Sequence, residues 1–187
     1  MSDPYCYPGT NVLRNIENIR DAEELTAFER SAAANRMEML PDDFPITPDG
    51  YRAIHRYIFQ DVYDWAGEYR DVDIARTDDL FCLVPYIAPE LAKRFEAIRR
   101  ENSLRGLSIE DFATRAAEHA IELNAIHPFR EGNGRALRAF LFVLARQAGH
   151  DIHMERIDAR SWNDVSRVSF RTGDTQAMRN IIADAIR

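Results

Sequence analysis

The sequence predicts an all-α, mainly helical protein with a single β-hairpin, and three observations predict it. Apolar residues recur at three- and four-residue spacing along most of the 187-residue chain. Recognisable caps punctuate those segments, and strand-like alternation occurs in one stretch only, residues 72–84. The length suits one domain over residues 1–187 with one core.

Residues 1–20 hold Pro4, Pro8 and Gly9 without a sustained period, which reads as an extended lead-in. Leu25, Phe28 and Ala32 put a helix between Asp21 and Leu40. Thr47 is an N-cap with Pro48 at the first helical position, and Tyr51, Ile54, Ile58, Val62 and Trp65 extend that helix to a stop at Gly67. In residues 72–84, Val72 and Ile74 alternate with charged residues, a turn follows, and residues 80–84 are apolar: a hairpin that needs support from the helices or from a partner strand. Pro89 opens a helix through Leu91, Phe95 and Ile98.

Ser108 and Asp111 form a capping box, after which Ile109, Phe112, Ala116, Ala120, Leu123 and His127 share one face of a helix over 109–127. Residues 134–148 are apolar almost all round, which marks a buried helix ended by Gly149. These two helices are the expected heart of a bundle, and they flank a polar loop. Asp158 caps a further helix, and a last one carries Met178, Ile181 and Ile182.

Composition narrows the function. A net charge of −7 argues against a general basic surface for DNA or RNA. Two cysteines, Cys6 and Cys82, are too few for a disulfide framework or a thiolate zinc site. The N-terminus lacks a basic run before an apolar core, and no apolar stretch approaches a membrane span, so a cytoplasmic, unanchored protein is expected.

The chemistry concentrates in residues 127–138: His127, Pro128, Phe129, Arg130, Glu131, Gly132, Asn133, Gly134, Arg135, Ala136, Leu137, Arg138. A glycine-rich loop running into a helix start leaves N–H groups pointing outward with the positive end of the helix dipole behind them, a place that binds phosphate. Gly132 and Gly134 let the backbone turn and approach the anion, while Asn133 tolerates a left-handed conformation or donates from its amide. Arg135 and Arg138 oppose the dipole of an otherwise apolar helix and make sense if polyphosphate lies between them. Glu131 suits a hard divalent cation accompanying nucleotide phosphates, with Mg²⁺ the natural choice. His127 carries the side chain whose ordinary titration lies nearest neutral pH, which qualifies it as a general base for a hydroxyl nucleophile. Against this stands the ordinary role of a lone histidine at a helix end, a packed structural residue. Phe129 reads as core, Arg130 as solvent-facing, and His55 as surface or packing. No Walker A or dinucleotide fingerprint is present.

Residues 127–138 satisfy every fixed position of His-Pro-Phe-x-(Asp/Glu)-Gly-Asn-Gly-Arg-x-x-Arg, and the chain thereby resembles Fic-domain proteins. Residues 65–70 (Trp-Ala-Gly-Glu-Tyr-Arg) and 7–10 (Tyr-Pro-Gly-Thr) extend the resemblance over nearly the whole chain. It implies a Fic fold, a helical bundle with a hairpin flap beside the active site, and transfer of AMP from ATP to a hydroxyl of a target protein. His127 is then the base, Glu131 the Mg²⁺ ligand, Gly132, Asn133 and Gly134 the anion hole, and Arg135 and Arg138 the phosphate clamps. The target docks along the flap at residues 72–84, and Arg76, Thr77 and residues 102–107 cover the nucleotide.

Many relatives inhibit themselves with Ser/Thr-x-x-x-Glu-Gly/Asn, whose glutamate pairs with the second motif arginine. Here the Glu-Gly and Glu-Asn pairs begin at Glu17, Glu101 and Glu131, and the residues four before them are Leu13, Ala97 and His127. None qualifies, so inhibition by a small antitoxin-like protein is expected, as in the bacterial toxin branch. That branch implies DNA gyrase and topoisomerase IV as targets through a tyrosine hydroxyl. A secreted effector modifying small GTPases, a Fic-fold kinase (disfavoured by Gly134), a phosphocholine transferase and a non-enzymatic binding module are the alternatives.

Overall fold

The computed structural model describes residues 3–76 and 79–186, and of Arg76 and Asp79 the backbone alone. Among the described residues seven α-helices carry the chain: α1 (Ala22–Glu38), α2 (Pro48–Phe59), α3 (Ile87–Arg100), α4 (Ile109–Ile126), α5 (Asn133–Ala148), α6 (Ala159–Thr172) and α7 (Gln176–Ile186). The mainly helical class expected from periodicity is what is found. Nearly all of the buried apolar side chains form one cluster, in which α4 packs against α3, α5, α6 and α7, while α2 lies between α1 and α5. None of the described helices is long and apolar enough to cross a membrane.

Local chemistry explains several ends. Asp21 accepts from Glu23 N and Glu24 N at the start of α1, Thr47 from Gly50 N at α2, Ser108 from Asp111 N at α4, and Asp158 from Ser161 N at α6. Each satisfies a donor the helix cannot. Helices α5 and α6 end on Gly149 (φ 92°) and Gly173 (φ 73°).

Two expectations are corrected. Helix α2 ends at Phe59, not near Gly67. Phe59 O accepts from both Val62 N and Tyr63 N (2.9 Å each), and a series of turns follows that still buries Val62, Tyr63 and Ala66. Those residues keep a helical spacing without being a helix, which is why periodicity overran the end. Residues 102–107 do not line the nucleotide-sized cavity described below. Asn102, Ser103 and Leu104 take positive φ (55°, 51° and 60°), and Leu104 is fully buried in the core. The lead-in also reaches the central loop, where Asp3 pairs with Arg130.

Within the stretch expected to form a hairpin over residues 72–84, the described strands are short: β1 (Ala75–Arg76) and β2 (Asp79–Leu80), antiparallel, with Ala75 opposite Leu80 and Arg76 opposite Asp79. Two such strands cannot hold themselves. The segment is fastened instead to the end of α4, where Cys82 N donates to Ala125 O (3.2 Å) and Phe81 packs on His127.

Candidate active site

Helix α4 stops at Ile126 because His127 adopts the left-handed region (φ 48°, ψ 61°), with Pro128 behind it. That conformation costs a residue with a Cβ about 1–2 kcal/mol, so something must hold it. Arg70 does. Its guanidinium, with no exposed side-chain surface, donates to His127 O (2.9 Å), Ile126 O (3.4 Å), Val72 O (2.8 Å) and Cys82 O, and its own N–H reaches Pro128 O (2.9 Å). One side chain thus ties the end of α4 to both sides of the 72–84 segment. Burial pulls its pKa below the ordinary arginine value, with Asp73 at 3.9 Å opposing.

The His127 imidazole is fixed from two directions. Nδ1–H donates to Asn124 O (3.1 Å), which leaves the basic lone pair on Nε2. Phe81 stacks on the ring at 3.9 Å and 15°, and Phe170 meets Phe81 edge-on at 5.3 Å. A histidine held by backbone and aromatic face together is oriented as well as packed.

The loop after it is closed by Asn133, whose amide oxygen accepts from Phe129 N (2.9 Å) and whose amide nitrogen donates to Phe129 O (2.7 Å). This corrects the expected role of Asn133: its side chain is spent inside the loop, and Gly132 is the left-handed residue (φ 79°). A Cβ on Gly132 would stand 2.3 Å from Phe59 Cζ, whereas one on Gly134 would meet Asn163 Oδ1 at an ordinary 3.7 Å. Only Gly132 is demanded by the fold, and Gly134 leaves space for a ligand. Gly132 N donates to Glu131 Oε1 (2.9 Å), while the N–H groups of Asn133 and Gly134, at the start of α5, form no hydrogen bond among the described residues.

His55, expected at the surface or in packing, is a fully buried part of the scaffold. Gly67 N donates to its Nδ1 (2.9 Å), so Nε2–H must donate to Glu131 O (2.9 Å), and the ring stacks on Phe129 at 3.9 Å. The signal was present in the sequence, since position 55 falls on the Tyr51, Ile54, Ile58 stripe. Burial, helped by the charge of Arg135 and opposed by the Glu131 bond, lowers its pKa to about 3. Between about pH 6.5 and about pH 3 the unfolded chain therefore takes up a proton that the folded chain refuses, and this site costs roughly 1.4 kcal/mol of stability per pH unit. Urea unfolding at pH 7 and pH 5 is expected to show a smaller acid loss in His55→Gln than in the wild type; parallel losses would refute the assignment.

The two arginines differ. Arg135 donates to Glu29 Oε1 of α1 (2.5 Å), lies 3.6 Å from Glu131 Oε1, and has its guanidinium carbon 4.6 Å from the Phe59 ring centre. The Arg138 side chain forms neither a hydrogen bond nor an ion pair among the described residues. Burial and then Arg135 push its pKa down, with Asp158 opposing. Arg130, expected to face solvent, pairs with Asp3 at 2.5 Å.

These groups meet at a cavity of about 500 Å³ lined by His127, Arg130, Glu131, Gly132, Asn133, Gly134, Arg135 and Arg138. Every sequence-predicted site residue of the 127–138 stretch is there. The flap residues behave differently: Thr77 lies outside the described residues, as does the side chain of Arg76. The other walls escaped the sequence reading: Thr26, Glu29 and Arg30 from α1, Asn124 from α4, and Ala159, Trp162, Asn163 and Ser166 from α6. No local pattern announces them, because each reaches the cavity only through helix packing.

The arrangement offers an anion receptor (Arg138 with two open N–H groups), a carboxylate (Glu131) and an oriented base on one cavity wall. Glu131 fits Mg²⁺ in the usual protein manner, where one carboxylate serves together with substrate phosphates. Comparison with known proteins agrees with this chemistry. The Fic/DOC family model matches residues 45–145. A Sinorhizobium fredii protein named "Probable protein adenylyltransferase" is 43% identical over 93% of this chain and 91% of its own length. The protein adenylyltransferase VbhT of Bartonella schoenbuchensis is 36% identical over 97% of this chain and 38% of its own length. Among solved structures, the BepC effector of Bartonella tribocorum with bound AMPPNP superposes with a TM-score of 0.88 at 27% identity, covering 97% of this chain and 95% of that one.

Proposed function

Because this chain belongs to the Fic/DOC family, we propose that it acts as one catalytic domain, a protein adenylyltransferase that moves AMP from ATP to a hydroxyl side chain, a tyrosine by preference, of a target protein. The observation that carries this reading is Arg138: a half-buried guanidinium without a partner among the described residues, opening on the same cavity as the His127 base. A partly desolvated cation left unpaired is completed favourably by an anion.

In the proposed reaction the polyphosphate lies against Arg138, Arg135 and the N–H groups of Asn133 and Gly134. His127 Nε2 takes the proton of the target hydroxyl as its oxygen bonds to the α-phosphorus. The bond from the α-phosphorus to the bridging oxygen breaks, and pyrophosphate leaves with its new charge facing Arg138. When bound through Glu131, Mg²⁺ would supply charge neutralisation for the phosphates. Arg70, Phe81 and His55 touch no substrate in this scheme; they hold the base and the loop in register.

The target would pair as a strand along residues 72–84, with Arg76 and Thr77 over the nucleotide. We further propose a bacterial cytoplasmic toxin acting on DNA gyrase or topoisomerase IV and silenced in trans by a small antitoxin. Its support is that the carboxylate of α1, Glu29, pairs with Arg135 and leaves Arg138 unoccupied. Translocation into a host, as with the Bartonella effector, is the rival setting for the same chemistry.

Two measurements test the activity. With bacterial lysate, ATP labelled at the α-phosphate should leave label on a protein and ATP labelled at the γ-phosphate should not; γ-label alone would mean a kinase. Arg138→Ala should weaken binding of a non-hydrolysable ATP analogue by about 10- to 100-fold, the cost of losing charge-assisted bonds. Unchanged affinity in calorimetry would remove the observation on which the reading rests.

A further inference from the structure

Arg135 and Arg138 stand three residues apart on α5, yet among the described residues only Arg135 has a partner. Its Nη2 donates to Glu29 Oε1 (2.5 Å), and the other carboxylate oxygen, Oε2, accepts from the Tyr63 hydroxyl. Glu29 keeps 13% of its side chain exposed, so both of its oxygens are engaged in a nearly closed setting. The guanidinium also lies over the Phe59 ring. Its N–H groups on Nε and Nη1 form no hydrogen bond among the described residues, and Arg135 lines the cavity.

We propose that Glu29 is a positioning residue for triphosphate recognition. It anchors Arg135 by one nitrogen so that the remaining edge of the fork is presented to phosphate, which brings α1 into the nucleotide site. The inference rests on the ATP reading above and adds a residue that the 127–138 motif does not contain. Two physical points support it. An arginine fork has five donors, so holding one carboxylate through Nη2 does not exhaust it. A long side chain already fixed by an ion pair and an aromatic face has less freedom left to lose when the ligand arrives.

Glu29 also decides where Arg135 does not go. The nearest other carboxylate is Glu131, 3.6 Å away and four residues earlier. Freed from Glu29, Arg135 would close on Glu131, and the loop's cation ligand and one phosphate clamp would neutralise each other. The competing role, in which Glu29 withholds Arg135 from nucleotide, predicts the opposite sign in the same experiment.

The test uses the full chain and the near-isosteric Glu29→Gln, with calorimetric binding of a non-hydrolysable ATP analogue and, separately, of AMP. The analogue should bind about tenfold more weakly, the size of one charge-assisted contact, while AMP, which lacks the β- and γ-phosphates, keeps its affinity. Tyr63→Phe should weaken the analogue in the same direction by less, and it carries the test should Glu29→Gln not fold. Unchanged analogue binding makes Glu29 a structural strut, tighter binding makes it an inhibitor, and an equal loss for AMP makes the effect general; each overturns the proposal. If Arg138→Ala weakens the analogue while Glu29→Gln does not, this inference fails alone. If the wild type binds no analogue, the ATP reading itself has failed.

Discussion

His127→Ala is expected to abolish AMP transfer while leaving binding of a non-hydrolysable ATP analogue intact. Removing a positioned general base costs about 10²- to 10⁴-fold in rate, and here no other imidazole lines the cavity. The left-handed backbone at position 127 complicates any replacement, since alanine is strained there too. His127→Asn is therefore the sharper variant, because asparagine accepts that conformation but cannot act as a base. Transfer from α-labelled ATP measured for both should be lost equally. A rate near wild type in His127→Asn would show that His127 is structural and that another group takes the proton.

The second large effect is on folding. Arg70→Met should destabilise the protein by about 3–5 kcal/mol, the range for breaking a buried charged network, with the urea midpoint as the measurement. The reason is geometric: four carbonyls, those of Val72, Cys82, Ile126 and His127, lose their donor at once. Arg70→Lys should recover little, because a single ammonium cannot reach partners spread around the in-plane edges of a guanidinium. What folded Arg70→Lys protein remains should also transfer AMP slowly, since the same bonds hold the His127 backbone. A loss of stability under about 1 kcal/mol in Arg70→Met would mean that water replaces these bonds and that the fastening is incidental.

His127 could be singled out by its neighbours in the chain: a histidine before proline, ahead of a glycine-rich helix start, is a local pattern with local chemistry. Arg70 could be quoted within a matching stretch but not given a job, because its partners lie in three separate segments. The helices were legible for the same local reason. Thr47 with Pro48 and Ser108 with Asp111 mark starts by side chains that bond their own backbone, and Gly149 marks a stop by its conformation. Where local signals misled, a tertiary demand had won. Residues 60–67 keep apolar spacing because three turns bury them, and residues 102–104 take left-handed backbone because Leu104 fills the core.

By itself, then, the sequence determined the helical class, the cavity's 127–138 wall and the chemistry that wall can offer, since all of these follow from neighbours within a few residues. Only the tertiary structure decided which groups of that wall remain available. Asn133 is consumed by Phe129, Arg135 is anchored by Glu29 through one nitrogen with the rest of its fork turned to the cavity, Arg130 is taken by Asp3, and Arg138 has no partner among the described residues. The physical reason is that a charged or polar side chain is defined by its partner, and for three of these four the partner's identity (Asp3 at 127 residues' distance, Glu29 at 106, or none) depends on how the helices pack.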